Sequence, residues 1–301
     1  MRVFVTGASG HVGSAVVPEL LAAGHQVTGL ARSEESAAKL TAAGAEVVRG
    51  HIDDTGCLVE AASAADGVIH LAFRHEAMLA GDHMSAVETD LRASHALGEA
   101  LAGTGKPLVT TSGTLMVAGL GRIATEADTR QSGPRVDAEN AVIALADRGV
   151  RSSVVRLPPT VHSSLDQHGF IPVLISIARR HGAAAYVGDG SSRWPAGHTL
   201  DAAILYRLAL ESAPAGSRLH AVGDEGVPFR EIAETIGRNL DVPVVSISPA
   251  EAEAHFGFLG SLVVLDDPTS SARTQELLGW KPAHAGLIED MDEGHYFASP
   301  A

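Results

Sequence analysis

The sequence has little of several features that mark whole classes of protein. Its 301 residues include one cysteine, Cys57, so no internal disulfide can form. A net charge of −14 argues against nucleic acid or an anionic membrane as partner, because both need a basic surface. No apolar stretch approaches membrane-spanning length, and no leader precedes the first predicted strand. These absences favour a protein of the reducing cytoplasm.

Aromatic residues are also scarce, at 4%, and no tyrosine precedes Tyr186. The chain has 15 histidines, but they do not follow the spacing of metal ligands, so we expect no metal site. Neither internal repeats nor low-complexity tracts occur. The length and the 45% hydrophobic content predict one large domain with an appended lobe.

The N-terminus contains a glycine-rich turn between a strand and a helix. A β-branched run at 2–5 precedes Gly7, Gly10 and Gly13, and apolar residues then recur with helical spacing from Val12. The first glycine allows a tight turn, the second a close approach to a pyrophosphate, and the third close packing of the helix on the strand. This pattern predicts a dinucleotide site in which the loop and the helix start bind the anion. The expected loop contacts are Gly7, Ser9, Gly10, His11, Val12 and Gly13.

The end of the second predicted strand bears on the choice of cofactor. No acidic residue stands there to bind the ribose 2′-hydroxyl of NAD, whereas Arg32 and Ser33 offer a cation and a hydroxyl. Both groups suit a 2′-phosphate, so we expect NADP(H) to bind in preference to NADH. The alternative is a solvated arginine at the start of a helix.

Two later strand ends are expected to line the same cofactor. After the third strand, Asp53 can accept from the adenine amino group, or Asp53 and Asp54 can cap the next helix. The continuously apolar fourth strand, 67–71, ends at the sheet edge where ligands bind in open α/β sheets. The expected cofactor contacts in these segments are Ile52, Asp53, Leu71, Ala72 and Phe73.

Hydroxyl groups cluster where the fifth predicted strand ends, at Thr110, Thr111 and Ser112. There they can hydrogen-bond a substrate carbonyl, or they can satisfy loop amides. A polar loop, 120–134, is expected to lie exposed over the site, and a helix is predicted over 135–147.

Five separated motifs together resemble the extended or atypical short-chain dehydrogenase/reductases, the superfamily of nucleotide-sugar epimerases and dehydratases. The motifs are Thr6 to Gly13 with Asp53, His70-Leu71-Ala72, Thr110-Thr111-Ser112, Val155 to Pro159, and Leu278-Gly279-Trp280-Lys281-Pro282. The resemblance implies an α/β fold, a doubly wound and mainly parallel Rossmann sheet with a small discontinuous C-terminal substrate lobe. We expect the dinucleotide-binding domain at 1–160, completed by about 198–223, and the lobe at 161–197 and 224–301.

One departure from this superfamily concerns the reaction centre. Its Ser, Tyr and Lys set places Tyr and Lys four residues apart on one helix face. When Glu139 is laid on the acidic residue that often lies four beyond the lysine, Arg135 takes the lysine position and Gln131 the tyrosine position. The usual acid is therefore absent. Arg135 can bind the nicotinamide ribose but is a poor proton donor, since its pKa exceeds about 12.

Several other groups are candidates for the chemistry. His162 follows the strand whose end, in the resemblance, lines the nicotinamide pocket, and imidazole titrates near neutrality; a non-catalytic loop histidine is the alternative. Ser112 can polarise a carbonyl, and water held by Arg135 can supply the proton. His75 and Tyr186 are weaker candidates. The remaining expected cofactor contacts are Thr110, Thr111, Arg135, Leu157, Pro158 and Pro159.

The second half of the chain offers fewer signals. Arg193 and Trp194 can clamp an aromatic or anionic substrate, or Trp194 can be a packing anchor. The apolar stretch 256–265 can cover the substrate pocket, form a homodimer face, or simply be buried in the core.

The sequence as a whole favours an NADP(H)-dependent reductase or dehydrogenase of a small carbonyl substrate, with an atypical proton donor. A catalytically silent protein that binds NADP(H) as a sensor is the alternative from another class. A nucleotide-sugar epimerase or dehydratase is favoured least, because it needs the missing tyrosine.

Overall fold

The computed structural model describes residues 1–79 and 82–298. The strands run in chain order as β1 (Arg2–Thr6), β2 (Gln26–Ala31), β3 (Glu46–Arg49), β4 (Gly67–His70), β5 (Pro107–Gly113), β6 (Arg151–Leu157), β7 (Thr160–His162), β8 (Ala184–Val187), β9 (Arg193–His198), β10 (Ser217–His220), β11 (Asp224–Pro228) and β12 (Val244–Ile247). The α-helices are α1 (Gly13–Ala22), α2 (Glu34–Ala42), α3 (Thr55–Ala64), α4 (His75–Leu79), α5 (His83–Leu101), α6 (Val136–Ala144), α7 (Phe170–His181), α8 (Thr199–Ser212), α9 (Phe229–Leu240), α10 (Ala252–Phe256), α11 (Ala272–Leu278) and α12 (Leu287–Asp292).

The main sheet has seven strands in the order β10-β6-β5-β4-β1-β2-β3, and every pairing in it is parallel. The strand order reverses between β1 and β4, so a crevice opens at their carboxyl ends, where open α/β sheets bind ligands. This sheet confirms the predicted α/β, doubly wound class. We call the carboxyl ends of β1, β4 and β5 the sheet edge.

Helices cover both faces of this sheet because its strands are apolar on both sides. On one face, Leu20 of α1 and Tyr206 of α8 are fully buried in one core cluster. On the other, Leu58 of α3 and Leu97 of α5 belong to a second cluster. The main sheet is thus buried between two layers of helices.

A smaller part of the molecule, which we call the lobe, is built on a three-stranded sheet, β11-β9-β7, and a pair, β12-β8. Its core contains Trp194, Phe229 and Phe256. Trp194 is fully buried and donates from Nε1 to the carbonyl of Leu262, so it serves as a packing anchor. The C-terminal segment contributes to both cores, because Trp280 lies in the cluster of the main sheet.

The loop over 120–134 is attached to the C-terminal half of the chain. Ala124 donates to the carbonyl of Pro268 at 2.8 Å, and Ser270 donates to the carbonyl of Ala124 at 2.9 Å. The helix that follows begins at Val136 and continues as a 3-10 turn over Leu145–Arg148. None of the helices in the described residues is both long and apolar enough to cross a membrane.

Candidate active site

The glycine loop is compact in the way that the sequence predicts. Gly7 has a φ of +67°, and a Cβ on it would lie 2.7 Å from the backbone nitrogen of Ala72. A Cβ on Gly13 would lie 2.1 Å from the carbonyl oxygen of Gly7. Among the described residues no side chain caps α1, and the amides of Ser14 and Ala15 in its first turn donate to the carbonyls of Gly10 and Val12. The loop therefore fits the pyrophosphate of a dinucleotide.

His11 in this loop is tied to the opposite part of the molecule. Its Nε2 lies 2.9 Å from Oγ1 of Thr199, and its Nδ1 lies 3.8 Å from a carboxylate oxygen of Asp166. Burial lowers the pKa of the His11 imidazole, although the Asp166 charge opposes that shift. The ring thus links the loop to Thr199 and Asp166. Ser9 and Val12 of the loop are half-buried.

The two residues expected at a 2′-phosphate already have partners. Arg32 forms an ion pair with Glu76, and this hydrogen bond raises the pKa of the Arg32 guanidinium. Ser33 caps α2, accepting from the amide of Ser36 at 3.1 Å. Both residues are exposed, so a phosphate would compete with Glu76 for Arg32.

Asp53 is held by side chains from other segments. Thr89 donates to it at 3.0 Å and Arg92 at 3.3 Å, while His51 lies 2.8 Å from its second oxygen. The cap of α3 comes from Asp54, whose carboxylate accepts from the amide of Cys57. Asp53 therefore does not cap this helix. The neighbouring Ile52 is buried.

Arg135 lies at the sheet edge, as the sequence suggests for a cofactor ligand. Its guanidinium carbon lies 4.1 Å from the ring centre of Phe73, just after β4, and Nη2 donates to the carbonyl of Thr111 at 3.0 Å. Nε lies 3.8 Å from the carboxylate of Asp90. The backbone of Arg135 has a φ of +63°, a strained conformation for a residue with a Cβ. Such strain persists where surrounding contacts hold a functional residue in place.

A network of buried polar side chains lies next to Arg135. Oγ1 of Thr6 lies 2.6 Å from Nδ1 of His70, and Nε2 of His70 lies 3.4 Å from Asp90. Thr111 donates from its hydroxyl to the carbonyl of His70 and accepts from Tyr206 at 2.7 Å. Asp90 and Tyr206 were missed by sequence reasoning, because neither belongs to a local motif. Leu71 and Ala72 lie half-buried beside this network.

Gln131 does not share a helix face with Arg135. Because α6 begins at Val136, both residues precede it, and the argument from helical spacing is wrong here. Gln131 is exposed, and its carbonyl accepts from the side chain of Asn140 at 3.1 Å. The structure thus places Arg135 at the sheet edge and Gln131 on the surface.

Ser112 and Thr110 lie within the sheet and are almost fully buried. Ser112 faces Glu139, a buried carboxylate that also accepts from Arg156 and Arg218. Burial would raise the pKa of Glu139, but the two arginines outweigh it and hold that pKa below its usual value. Ser112 therefore lies under the sheet edge, beside a structural ion-pair cluster.

Sequence reasoning missed Thr114 and Asp267 as a pair. Thr114 follows β5 directly, and its hydroxyl donates to a carboxylate oxygen of Asp267 at 2.6 Å. Burial raises the pKa of Asp267 to about 6, against the hydrogen bonds from Thr114 and Thr269. This contact joins the end of β5 to the segment that leads into the lobe.

His162 is enclosed in the lobe. It lies in β7 with 1% of its surface exposed, and its Nδ1 is 2.9 Å from Asp290. Its ring meets the ring of His198 edge to face at 5.5 Å. A proton donor must reach its substrate, so this burial disfavours His162 as the acid.

The other candidates are divided between the sheet edge and the lobe. His75 packs against the ring of Phe73 at 5.2 Å, close to Arg135, while Tyr186 lies in β8 with Arg230 at 5.3 Å from its ring centre. At the end of β6 and directly after it, Pro158 is buried, while Leu157 and Pro159 are half-buried.

Within residues 1–79 and 82–298, two groups bring side-chain atoms that can bind a metal within 4.8 Å of one another: His198 with Asp201 and His284, and Asp290 with Glu293 and His295. The rings of His198 and His284 are stacked, with their centres 4.6 Å apart and their planes 9° from parallel. Their nitrogen lone pairs therefore lie in nearly parallel planes and do not converge. Asp201 already accepts from the amides of Ala283 and His284. Asp290 already binds His162. In each group one carboxylate is thus already bound by other protein groups.

Known proteins resemble this chain at the level of both sequence and fold. An uncharacterized protein of Schizosaccharomyces pombe is 48% identical over 299 residues, 99% of this chain and 100% of that protein. The 4-hydroxy-2-methyl-3-oxo-4-farnesyl-3,4-dihydroquinoline-1-oxide ketoreductase of Stigmatella aurantiaca is 28% identical, over 85% of this chain and 80% of that one. A dTDP-glucose 4,6-dehydratase from Streptomyces venezuelae, solved with NAD bound, superposes with a TM-score of 0.78 at 19% identity, covering 99% and 97% of the two chains.

The family comparison agrees with the sheet and the glycine loop. Residues 3–222 match the model of the NAD dependent epimerase/dehydratase family, a span that includes the main sheet, the loop and Arg135. The chain therefore belongs to the NAD dependent epimerase/dehydratase family.

Proposed function

We propose that the protein is an NADP(H)-dependent oxidoreductase that interconverts a small carbonyl compound and its alcohol. The observation that carries the proposal is the guanidinium of Arg135, fixed at the sheet edge between the Phe73 ring and the Thr111 carbonyl. The ketoreductase of Stigmatella aurantiaca, at 28% identity, adds support for a carbonyl substrate. The single cysteine is consistent with a cytoplasmic location.

The bound cofactor would supply the chemistry of hydride transfer at its nicotinamide. The chain would hold it through the glycine loop and α1 at the pyrophosphate, and through Arg32 and Ser33 at a 2′-phosphate. Contacts of this kind would orient the cofactor for reaction.

Arg135 would stabilise the negative charge that develops on the carbonyl oxygen as the carbon is reduced. Its Nε has no hydrogen-bond partner among the described residues, and the carboxylate of Asp90 lies 3.8 Å from Nε, so Asp90 forms an ion pair with the guanidinium without a direct hydrogen bond. Because guanidinium does not release its proton, the proton that completes the alcohol comes from water. Reduction thus consumes one NADPH and one proton for each carbonyl.

A screen of neutral ketones with the purified protein and NADPH tests this function. We expect NADPH oxidation that falls about 100- to 1000-fold in Arg135→Met, the usual effect of removing one charge-stabilising donor. Arg135→Lys keeps the charge and should retain more activity than Arg135→Met. Gln131→Ala is the matched control on the same loop, and we expect little change because that side chain is exposed.

The same screen separates the enzyme from a sensor. Tight NADPH binding with no oxidation of NADPH by any ketone would contradict the reductase and support the silent binding protein. Activity that Arg135→Met leaves intact would remove Arg135 from the mechanism.

A further inference from the structure

His75 lies a few residues after β4, at the first position of α4. Its ring meets the ring of Phe73 edge to face, with the ring centres 5.2 Å apart. The guanidinium of Arg135 lies over the same Phe73 ring, with its Cζ 4.1 Å from the ring centre. An imidazole and the cation that we place at the carbonyl oxygen therefore share one aromatic neighbour.

The charged groups around His75 come from several segments. Arg135, just before α6, and Asp90, on α5, both act on the charge of its imidazole. Glu76 and Arg74 flank it on its own segment, and each is bound to a side chain elsewhere. Desolvation lowers the pKa of His75 most, the charge of Arg135 lowers it further, and Asp90 opposes the shift. The imidazole therefore titrates on the acidic side of its ordinary range.

A proton donor needs access to solvent as well as to the substrate. His75 is exposed, so its ring can take up a proton from water after each turnover. The titratable side chains of His70, Asp90 and Tyr206 also lie close to the guanidinium, but these residues are at most 4% exposed. Arg135 itself keeps its proton. His75 thus combines a titratable group with access to solvent beside Arg135.

We propose that His75 is the general acid of the reduction, passing to the carbonyl oxygen the proton that water supplies. The proposal rests on the proposed carbonyl reductase function and adds a residue to it. As hydride reaches the carbonyl carbon, the C–O double bond becomes a single bond and negative charge collects on the oxygen beside Arg135. The N–H bond of the imidazolium then breaks, the O–H bond forms, and the neutral ring takes up a proton from water.

The pH dependence of the reduction tests His75. The kcat/KM of the NADPH-saturated protein is measured from pH 5.5 to 9, with the neutral ketone that is reduced fastest in the screen. We expect the wild type to exceed His75→Gln about 100-fold at the acidic end, the usual contribution of a general acid. This ratio should fall towards one at pH 9, where the imidazole is neutral. Taking the ratio at each pH removes the effects of pH on other groups.

Two controls separate a proton donor from a structural role. Imidazole added to His75→Ala should restore part of the lost activity, because the removed ring leaves space for the free base. His181→Gln is the matched control, since His181 is likewise exposed and its ring stacks on that of His255 at 4.3 Å in the lobe. It should change neither the rate nor the pH profile.

A ratio of wild type to His75→Gln that is close to one, or constant from pH 5.5 to 9, would overturn the proposal. So would a loss in His75→Ala that imidazole leaves unchanged, or the same pH-dependent loss in His181→Gln. These results leave NADPH oxidation that depends on Arg135, and with it the proposed function, in place. Absence of NADPH oxidation by the wild type with every ketone instead contradicts the reductase and this role together.

Discussion

The sheet edge and the lobe cleft arrange their charges in opposite ways. At the sheet edge, the buried side chains of His70 and Asp90 lie beside Arg135, whose Nε has no hydrogen-bond partner among the described residues and lies 3.8 Å from Asp90. In the cleft that residues 187–192 and 249–264 form in the lobe, the described wall carries two carboxylates, Asp189 and Glu253, and no lysine, arginine or histidine. One region therefore pairs a cation with a buried carboxylate, whereas the other presents carboxylates alone among its described residues.

The two regions should differ most in how much the loss of an ion pair lowers the free energy of unfolding. Glu139 lies under the sheet edge and is buried between Arg156 and Arg218. Glu139→Gln leaves two partly or fully buried cations without their partner and should cost about 3 to 5 kcal/mol. The free energy of unfolding in urea measures this loss.

The matched change in the lobe is Asp266→Asn, which removes the partner of Arg193. Both side chains of that pair are about two-fifths exposed, so the loss should be about 1 kcal/mol or less. Equal losses at Glu139 and Asp266 would contradict the distinction between a buried and an exposed ion pair.

The free energy of unfolding should depend on pH because of Asp267, which accepts a hydrogen bond from Thr114 at the end of β5. Burial raises the pKa of Asp267 to about 6 from an ordinary value of 3.8. Such a group favours folding at low pH, and its contribution is lost as the pH rises through about 6. The difference corresponds to about 3 kcal/mol between acidic and neutral solution. Asp267→Asn should therefore stabilise the protein at pH 8 relative to pH 5, as measured by urea unfolding at both values.

Asp266 is the control for this pH dependence. The hydrogen bond from Arg193 lowers the pKa of Asp266, so its contribution is present at neutral pH and lost as the pH falls. Asp266→Asn should therefore leave the difference in stability between pH 5 and pH 8 unchanged, because Asp266 is ionised in the folded and the unfolded protein over that range. A flat difference between wild type and Asp267→Asn from pH 5 to 8 would show that Asp267 stays ionised.

A smaller effect is expected at the outer end of the cofactor site. A phosphate contact from Arg32 contributes about 1.5 to 3 kcal/mol, so Arg32→Ala should lower the affinity for NADPH relative to NADH by tenfold or more. Glu76→Gln should raise NADPH affinity, because it frees Arg32 from its ion pair. Calorimetric titration with both cofactors decides this. An unchanged ratio in Arg32→Ala would remove the preference for NADP(H).

The glycine loop and the main sheet could be predicted because their signals are local. Gly7 and Gly13 are required by close backbone approaches within a few residues or at the adjacent strand end. The prediction that Gln131 shares a helix face with Arg135 was wrong because Gly133 and Pro134 interrupt the helical sequence pattern. The helix begins only at Val136. A spacing of four places two residues on one face only inside a helix.

The rest of the site could not be predicted because it joins segments that are distant in sequence. Asp90 reaches Arg135 from α5, and Asp267 reaches Thr114 from the C-terminal part of the chain. His162 has the sequence context of a pocket residue, yet Asp290 from α12 encloses it. Tertiary packing alone decides which of these side chains meets solvent.

Transfer of deuterium from the cofactor tests the central claim most directly. NADPH carrying two deuterium atoms at C4 of the nicotinamide is incubated with the protein and a neutral ketone, and the products are analysed by mass spectrometry. We expect an alcohol one mass unit heavier than that formed with unlabelled NADPH, at a rate that Arg135→Met lowers at least 100-fold. Unlabelled alcohol, or labelled alcohol formed equally well by Arg135→Met, would contradict a reductase built on Arg135 at the sheet edge.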